Sequence, residues 1–420
     1  MKSQSWVIDP ALCTLFSGLL ICYLFGQSWY PSIERYFFWG EGIAFLMLFS
    51  FWKANYQNIL QKRIILGVYG WIFLLSAYGI LSSYFLWSEQ VVFYHLLRHL
   101  AFFYYALFFF AGYQWGPRVI QMLSRYWFIP LSLLVISNAR LGFGGGLGSS
   151  MLAGFIFLVC QKGNPKRLLF YFMLLGMAFV WFMLPNSTAK LTGLLLVSSL
   201  FFVYFMRLWN RTYYAQLNKF FVRFFLLIGL VFLVYGFIRL KDLIYAVAAA
   251  GGSFQVFQED FTFTDMNGVW RIMLWTYLSD RFVHNLFGVG LGTPLVGTEL
   301  SDFMYLIQKP EDLYTSGAHN SFITFLVRLG VPFLLYFIYM AFYTGKLIIS
   351  FLKKTNYQVL NTADKRFVFS SILVFLIGVI LTTFNVVLES PIAAGVFWFN
   401  FGLFVRVVGD FIAHDKIQTA

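Results

Sequence analysis

The sequence predicts an all-α fold, a polytopic bundle of about twelve transmembrane helices with one large loop outside the membrane, and three observations predict it. Of the 420 residues 60% are hydrophobic and 22% aromatic, while only 11% are charged. Mean hydropathy is +0.74, beyond the range of water-soluble domains. Apolar stretches of roughly 17 to 25 residues, the length a helix needs to cross a bilayer, recur along most of the chain. Residues 1–420 therefore read as a single transmembrane domain, with residues 241–319 as a large loop within it.

In chain order the spans fall at about 10–27, 36–51, 65–86, 92–113, 118–138, 147–161, 168–184, 189–206, 220–240, 320–345, 367–386 and 391–411. The first lacks a short basic leader and a small-residue cleavage site, so it reads as a retained span. Basic residues recur after alternate spans: Lys53, Lys62 and Arg63; Arg118; Lys162, Lys166 and Arg167; Arg207, Arg211, Lys219 and Arg223; then Lys346, Lys353, Lys354, Lys365 and Arg366. The positive-inside bias makes that face cytoplasmic and puts both termini with it. The net charge of +13 is thus a topology signal, and nucleic-acid binding is not expected. Cys13, Cys22 and Cys160 lie inside apolar runs without paired spacing and read as packing residues, not as a disulfide or metal set.

The 241–319 connection is then extracytoplasmic. It carries nine acidic residues against four basic ones, a net charge of −5, and a connection this long implies a role of its own. Within it "NGVWRIMLWTYLSDRF" (267–282) has helical apolar spacing and predicts short amphipathic helices, with Trp270 and Trp275 as interfacial anchors. "GVGLGTP" (288–294) predicts a glycine-rich turn.

Cations that break the topology rule are retained at an energetic cost, so they mark candidate chemistry. They are Arg98, Arg140, Lys190, Arg239, Lys241, Arg271, Arg281 and Arg328, with His95, His99, His284 and His319 at the same level. Such a cluster near the outer leaflet points to an anionic ligand presented from the lipid, a lipid-linked pyrophosphate being the obvious kind. His95, Arg98 and His99 are spaced i, i+3, i+4 on one helical face. Arg98 either chelates a phosphate with two parallel donors or reaches to the headgroups. Arg140 opens a glycine-rich stretch that serves either as a ligand-approaching backbone or as a plain turn. Lys190 follows the helix-start residues Asn186, Ser187 and Thr188, and pairs with a ligand or with an acid. Arg271 lies in the amphipathic stretch. His319 precedes a span whose N-cap is expected to be Asn320, and the positive helix end would keep the imidazole neutral and competent as a base. A lone histidine there is otherwise a structural polar residue, and Glu259 or Asp265 are alternative bases.

"RIMLWTYLSDRFVHNLFGVGLGTP", followed by "HNSFITFLVRLGVPFLLYFIYMAF", resembles the hallmark segment of the O-antigen ligase and O-antigen polymerase superfamily. It has an Arg ahead of a Trp, an N-L-x-G-x-G-x-G turn, then His-Asn with a glycine eleven residues after the His. These motifs cover about 60 of the 420 residues, and the expected layout of spans and outer loop is also similar. The stretch "NSTAK" departs from the Ser-Arg pair the family often has there, and Asn285 stands where a proline is common. The resemblance implies a bacterial inner-membrane glycosyltransferase, inverting, without metal or cofactor, that moves a glycan from an undecaprenyl-pyrophosphate donor on the periplasmic face. The acceptor would be lipid A core for a ligase, a second lipid-linked glycan for a polymerase, or a protein. It implies His319 as general base, Arg271 as the residue neutralising the pyrophosphate, and basic partners at Arg140 and Lys190. A twelve-span transporter or lipid flippase is the rival from another class, and the chain lacks the internal repeat symmetry many of those show.

Overall fold

The structure, a computed structural model, describes residues 58–125, 253–256, 259–262, 266–297, 312–315, 317–354, 363–384, 387–389 and 391–418. The expected spans at 10–27, 36–51, 147–161, 168–184, 189–206 and 220–240 lie outside the described residues, as do Cys13, Cys22, Cys160, Arg140, Lys190, Arg239 and Lys241. The elements are α1 (Ile59–Gly70), a π-helical turn (Trp71–Leu75), α2 (Ser76–Trp87), α3 (Phe93–Tyr104), α4 (Leu107–Arg125), β1 (Ser253–Val256), β2 (Glu259–Thr262), α5 (Met266–His284), α6 (Asp312–Thr315), α7 (Ser321–Lys354), α8 (Ala363–Phe384) and α9 (Pro391–Gln418).

Four stretches, Ile59–Gln90, Phe93–Gln121, Ser321–Lys353 and Ala393–Ala413, are long and apolar enough to cross a membrane, and Phe367–Thr383 is a shorter apolar helix. The first and third are the most apolar of the four, yet only 44% of each is buried, against 72% in the other two. In water this order would be reversed, because apolar faces seek the core. A hydrocarbon surround removes that penalty, so Phe85, Tyr94, Leu335 and Ile338 stand exposed. The chain is a helical membrane protein.

Two sequence expectations are corrected. A break between spans was expected near residues 114–117, but α4 runs unbroken through Pro117, and the chain instead turns at Tyr105 and Ala106. Arg118 is therefore a helix residue and not a loop residue. The sequence Trp-Gly-Pro mimics a turn; here Gly116 fits against Leu403 instead. Second, the 241–319 connection is not all-α: β1 and β2 form an antiparallel hairpin in which Ser253 faces Thr262 and Val256 faces Glu259.

Two compact units are described separately. The first comprises Met1–Leu74, Ala101–Leu208 and Tyr336–Ala420. Its centre is the crossing of α4 and α9. Gly112 lies against the Phe399 carbonyl and Gly402 against the Phe109 carbonyl, so the two backbones meet without side chains between them. Around that crossing Phe375 stacks on Phe404 with centroids 4.7 Å apart, and Phe109 meets Phe401 edge-on at 5.2 Å. Asn58 caps α1 by accepting from Gln61 N at 2.8 Å and donates to Gly409 O at 3.2 Å. Fully buried Gln61 donates to Val405 O at 3.3 Å, joining α1 to α9 by polar contacts that hydrocarbon leaves no water to replace.

The second unit comprises Leu75–Leu100 and Trp209–Leu335. Its core is Leu274 and Leu278 of α5 with Val289, Leu295, Val296, Ala318 and Val327. This packing seats α5 and the glycine-rich turn beside the start of α7.

The α4 and α9 crossing makes a direct prediction. Gly402→Ala places a Cβ on the Phe109 carbonyl oxygen and should cost about 1–3 kcal/mol as an overpacking change, read as a lower thermal midpoint in detergent. Gly345→Ala, where nothing lies within 4 Å, is the control and should leave the midpoint unlowered.

Candidate functional site

The site grows from a break in α7. An α-helical N–H donates to the carbonyl four residues back, so Pro332, having no N–H, leaves Arg328 O without its helical donor. Gly330 takes φ 64° and ψ −150°, outside the helical region, and Val331 N turns away to Leu286 O at 2.8 Å. Two carbonyls are thereby released, and the glycine-rich turn uses both: Val289 N donates to Val327 O at 2.9 Å and Gly290 N to Arg328 O at 2.8 Å.

The turn needs its glycines. Gly288, Gly290 and Gly292 all sit at φ 80°, in the left-handed half of conformational space. An added Cβ at Gly288 would strike the Arg328 carbonyl, and one at Gly290 the Ser83 backbone. On its other side the turn is held by α2 and α3. Leu291 N donates to Ser83 Oγ, whose proton faces Leu291 O at 2.6 Å and the Gly79 carbonyl. Gly292 N donates to His99 Nδ1 at 3.0 Å, and Val92 N to Gly292 O at 3.0 Å.

His319 stands at the entrance to α7. It is the one non-glycine residue with positive φ, 48°, among the described residues, a conformation that costs about 1–3 kcal/mol and persists where surrounding contacts impose it. Those contacts are visible. Asn320 is the N-cap, as its position in the sequence predicts: its Oδ1 accepts from Ile323 N at 3.1 Å. Ala318 N donates to Thr324 Oγ1 at 3.1 Å, while the Ala318 carbonyl accepts from Trp275 Nε1. Trp275 is thus a docking residue, half-buried against the core of the unit. Burial, and then the charge of Arg271, push the His319 imidazole down to about 4.

Among the described candidates two sets of neighbours can be named, Arg140 and Lys190 lying outside the described residues. His319 and Arg271 form the first, and both are partly accessible. In the second, Arg328, His95 and Arg98 lie close enough for their charges to act on His99. The expected shared face of His95, Arg98 and His99 divides, because His95 and His99 are buried and Arg98 is exposed. His95 stacks on Tyr314 at 4.7 Å. His99 accepts an amide proton at Nδ1 and bonds the Tyr314 backbone, which makes it a structural acceptor.

Arg328, expected to hold pyrophosphate, is 1% exposed and donates to Gly290 O, Thr293 O and Tyr314 O at 3.2–3.4 Å. Arg281 likewise donates to Leu295 O at 2.9 Å. Both are engaged with backbone because the tight turns before α7 leave carbonyls that helix or sheet would have satisfied. His284 is exposed and bonds the Asp280 carbonyl at 2.9 Å. The Glu259 side chain and Asp265 lie outside the described residues. Sequence reasoning missed Ser83, whose signal was small residues at Gly79, Ser82 and Ser83 in an otherwise bulky helix. Among the described residues no group of three or more His, Cys, Asp or Glu side chains could hold a metal ion.

The two causes acting on His319 can be separated. Arg271→Met should raise its midpoint from about 4 toward, but short of, 6.5, since burial is the larger effect; histidine-labelled NMR titration measures it, and an unmoved midpoint would place Arg271 too far away to matter. The stability consequence follows in sign. With the folded midpoint below the unfolded one, the unfolded chain takes the proton first, so this group lowers stability as pH falls from 6.5 toward 4 and leaves it unchanged above that window. Compared with known proteins, the chain matches no family model and no curated protein.

Proposed function

We propose that this protein is a glycosyltransferase of the O-antigen ligase and polymerase type, embedded in a bacterial inner membrane with its termini cytoplasmic and its site facing the periplasm. It would transfer a glycan from an undecaprenyl-pyrophosphate donor to an acceptor hydroxyl, lipid A core being the acceptor of the ligase form. The observation that carries this reading is His319: an imidazole neutral at physiological pH, held in a left-handed conformation at the entrance of a membrane helix, with Arg271 acting on it.

The chemistry follows from those two residues. A sugar bonded to a lipid diphosphate is attacked at its anomeric carbon by a hydroxyl oxygen as the carbon–oxygen bond to the diphosphate breaks. The leaving group gains negative charge, and a fixed guanidinium stabilises it in a poorly solvated place. His319 takes the hydroxyl proton. The resting imidazole, near 4, is a weak base. A diphosphate on Arg271 cancels the cationic charge that helps hold it there, so His319 grows more basic as the donor arrives. Arg98, exposed at the level of His99, is a further cation available to a lipid-borne phosphate.

Three measurements test the reading. Purified protein incubated with lipid-linked glycan should yield product on lipid A core; chains lengthened on undecaprenyl would mean the polymerase form, and no transfer to either would defeat the proposal. His319→Asn, which tolerates left-handed backbone, should keep or raise the thermal midpoint while transfer falls by about 10²–10⁴-fold. Normal transfer by that variant rules out His319 as the base. Arg271→Lys should also be severe, because a point charge cannot reproduce a two-pronged contact, and a harmless exchange would leave Arg271 a structural role only.

A further inference from the structure

Arg328 carries an inference of its own. Its side chain bridges two chain segments that flank the site: Nη1 reaches Gly290 O at 3.4 Å and Thr293 O at 3.2 Å, and Nη2 reaches Tyr314 O at 3.4 Å. The first two carbonyls belong to the glycine-rich turn that follows α5, the helix bearing Arg271. The third belongs to Tyr314 within α6, five residues before His319. Arg328 also touches the turn through its own backbone, by the bond from Gly290 N. One residue, 1% exposed, thus ties together the strand of chain leaving the Arg271 helix, the segment entering His319, and the broken helix that His319 opens.

A guanidinium suits this task for a geometric reason. Its donors lie in a rigid plane and diverge, so one group serves carbonyls on separate segments at once, whereas an ammonium on a flexible stem satisfies whichever is nearest. A charged side chain buried this deeply is retained at a cost. Two of the three acceptors, Gly290 O and Thr293 O, are backbone groups of a turn with three glycines in its seven residues, a residue type with little preference for any one conformation. The remaining restraints on His319, namely the Asn320 cap and the Trp275 contact to Ala318, act from α7 and α5. The segment arriving from α6 is anchored by Arg328 at Tyr314 O, beside His99, which bonds the Tyr314 backbone and accepts from Gly292 N, and beside the bond from Leu295 N to Leu313 O.

We propose that Arg328 is a positioning residue that fixes His319 against Arg271 by clamping the glycine-rich turn to the Tyr314 end of α6, rather than a ligand for phosphate. The proposal rests on the reading of His319 and Arg271 as the reacting pair. Its test is chosen to stand apart from transfer activity.

Full-length protein in nanodiscs, wild type, Arg328→Gln and Arg328→Lys, is titrated with histidine-labelled NMR, and the His319 midpoint is read beside the thermal midpoint. Loosening the clamp exposes His319 and moves it from Arg271, so Arg328→Gln should raise the His319 midpoint by about one pH unit or more, with Arg328→Lys between it and wild type. A merely structural residue would lower the thermal midpoint and leave the His319 titration where it was, and that result overturns the proposal. If Arg328→Gln does not fold, Arg328→Lys decides alone by the same criterion. Donor binding supplies the second reading: lipid-linked pyrophosphate should bind Arg328→Lys about as tightly as wild type, and binding lost while the His319 midpoint stays unchanged would make Arg328 a phosphate ligand, contrary to the proposal. Absence of any transfer by wild-type protein, with the titration behaving as expected, would defeat the proposed reaction and leave the clamp standing.

Discussion

The break in α7 is the constraint from which the arrangement around His319 follows. A helix crossing hydrocarbon satisfies its own backbone, because nothing in the surround can do so. Pro332 cannot donate to Arg328 O, and Gly330 leaves the helical region. The two carbonyls set free must find donors inside the protein, and Val289 and Gly290 supply them. The glycine-rich turn is therefore not a connector laid over the bundle. It is the partner that makes a broken membrane helix tolerable, and in return the broken helix fixes the turn. Ser83 and His99 close the same arrangement from the other side.

This explains why polar and charged groups meet backbone where the sequence first offers them as ligands. His99, Arg281 and Arg328 all meet backbone groups of irregular chain. Irregular chain at this depth carries unsatisfied amides and carbonyls, each costing on the order of a few kcal/mol if left without a partner. Side chains with several donors or an acceptor nitrogen are the means of satisfying them. His319 and Arg271 keep partial access, and the backbone conformation of His319 shows that its neighbours hold it somewhere it would not otherwise rest.

Much of the fold class was legible in the sequence because it depends on composition and length alone. Spans expected at 65–86, 92–113, 320–345, 367–386 and 391–411 all coincide with apolar helices. Asn320 as a helix cap and α5 as a helix were readable from local preference. The continuous helix through Trp115, Gly116 and Pro117 was not, since those three residues favour a turn locally and only the fit of Gly116 against Leu403 shows why helix is kept. The hairpin at residues 253–262 was also missed, in a stretch where a helix or a loop was the simpler reading.

The sequence by itself determined that the chain lives in a membrane, where several helices begin, and which rare residues break the apolar pattern. Those follow from transfer free energy and local backbone preference, which need no neighbours. Only the tertiary structure decided what each rare residue does. Spacing put His95, Arg98 and His99 on one face, yet packing buried two and left the third exposed. Arg328 and Arg271 look alike as cations in a greasy chain, but one lies among three backbone carbonyls and the other beside an imidazole. Partners separated by tens or hundreds of residues in the chain set those roles, and no local property of an arginine records which carbonyl or ring will be beside it.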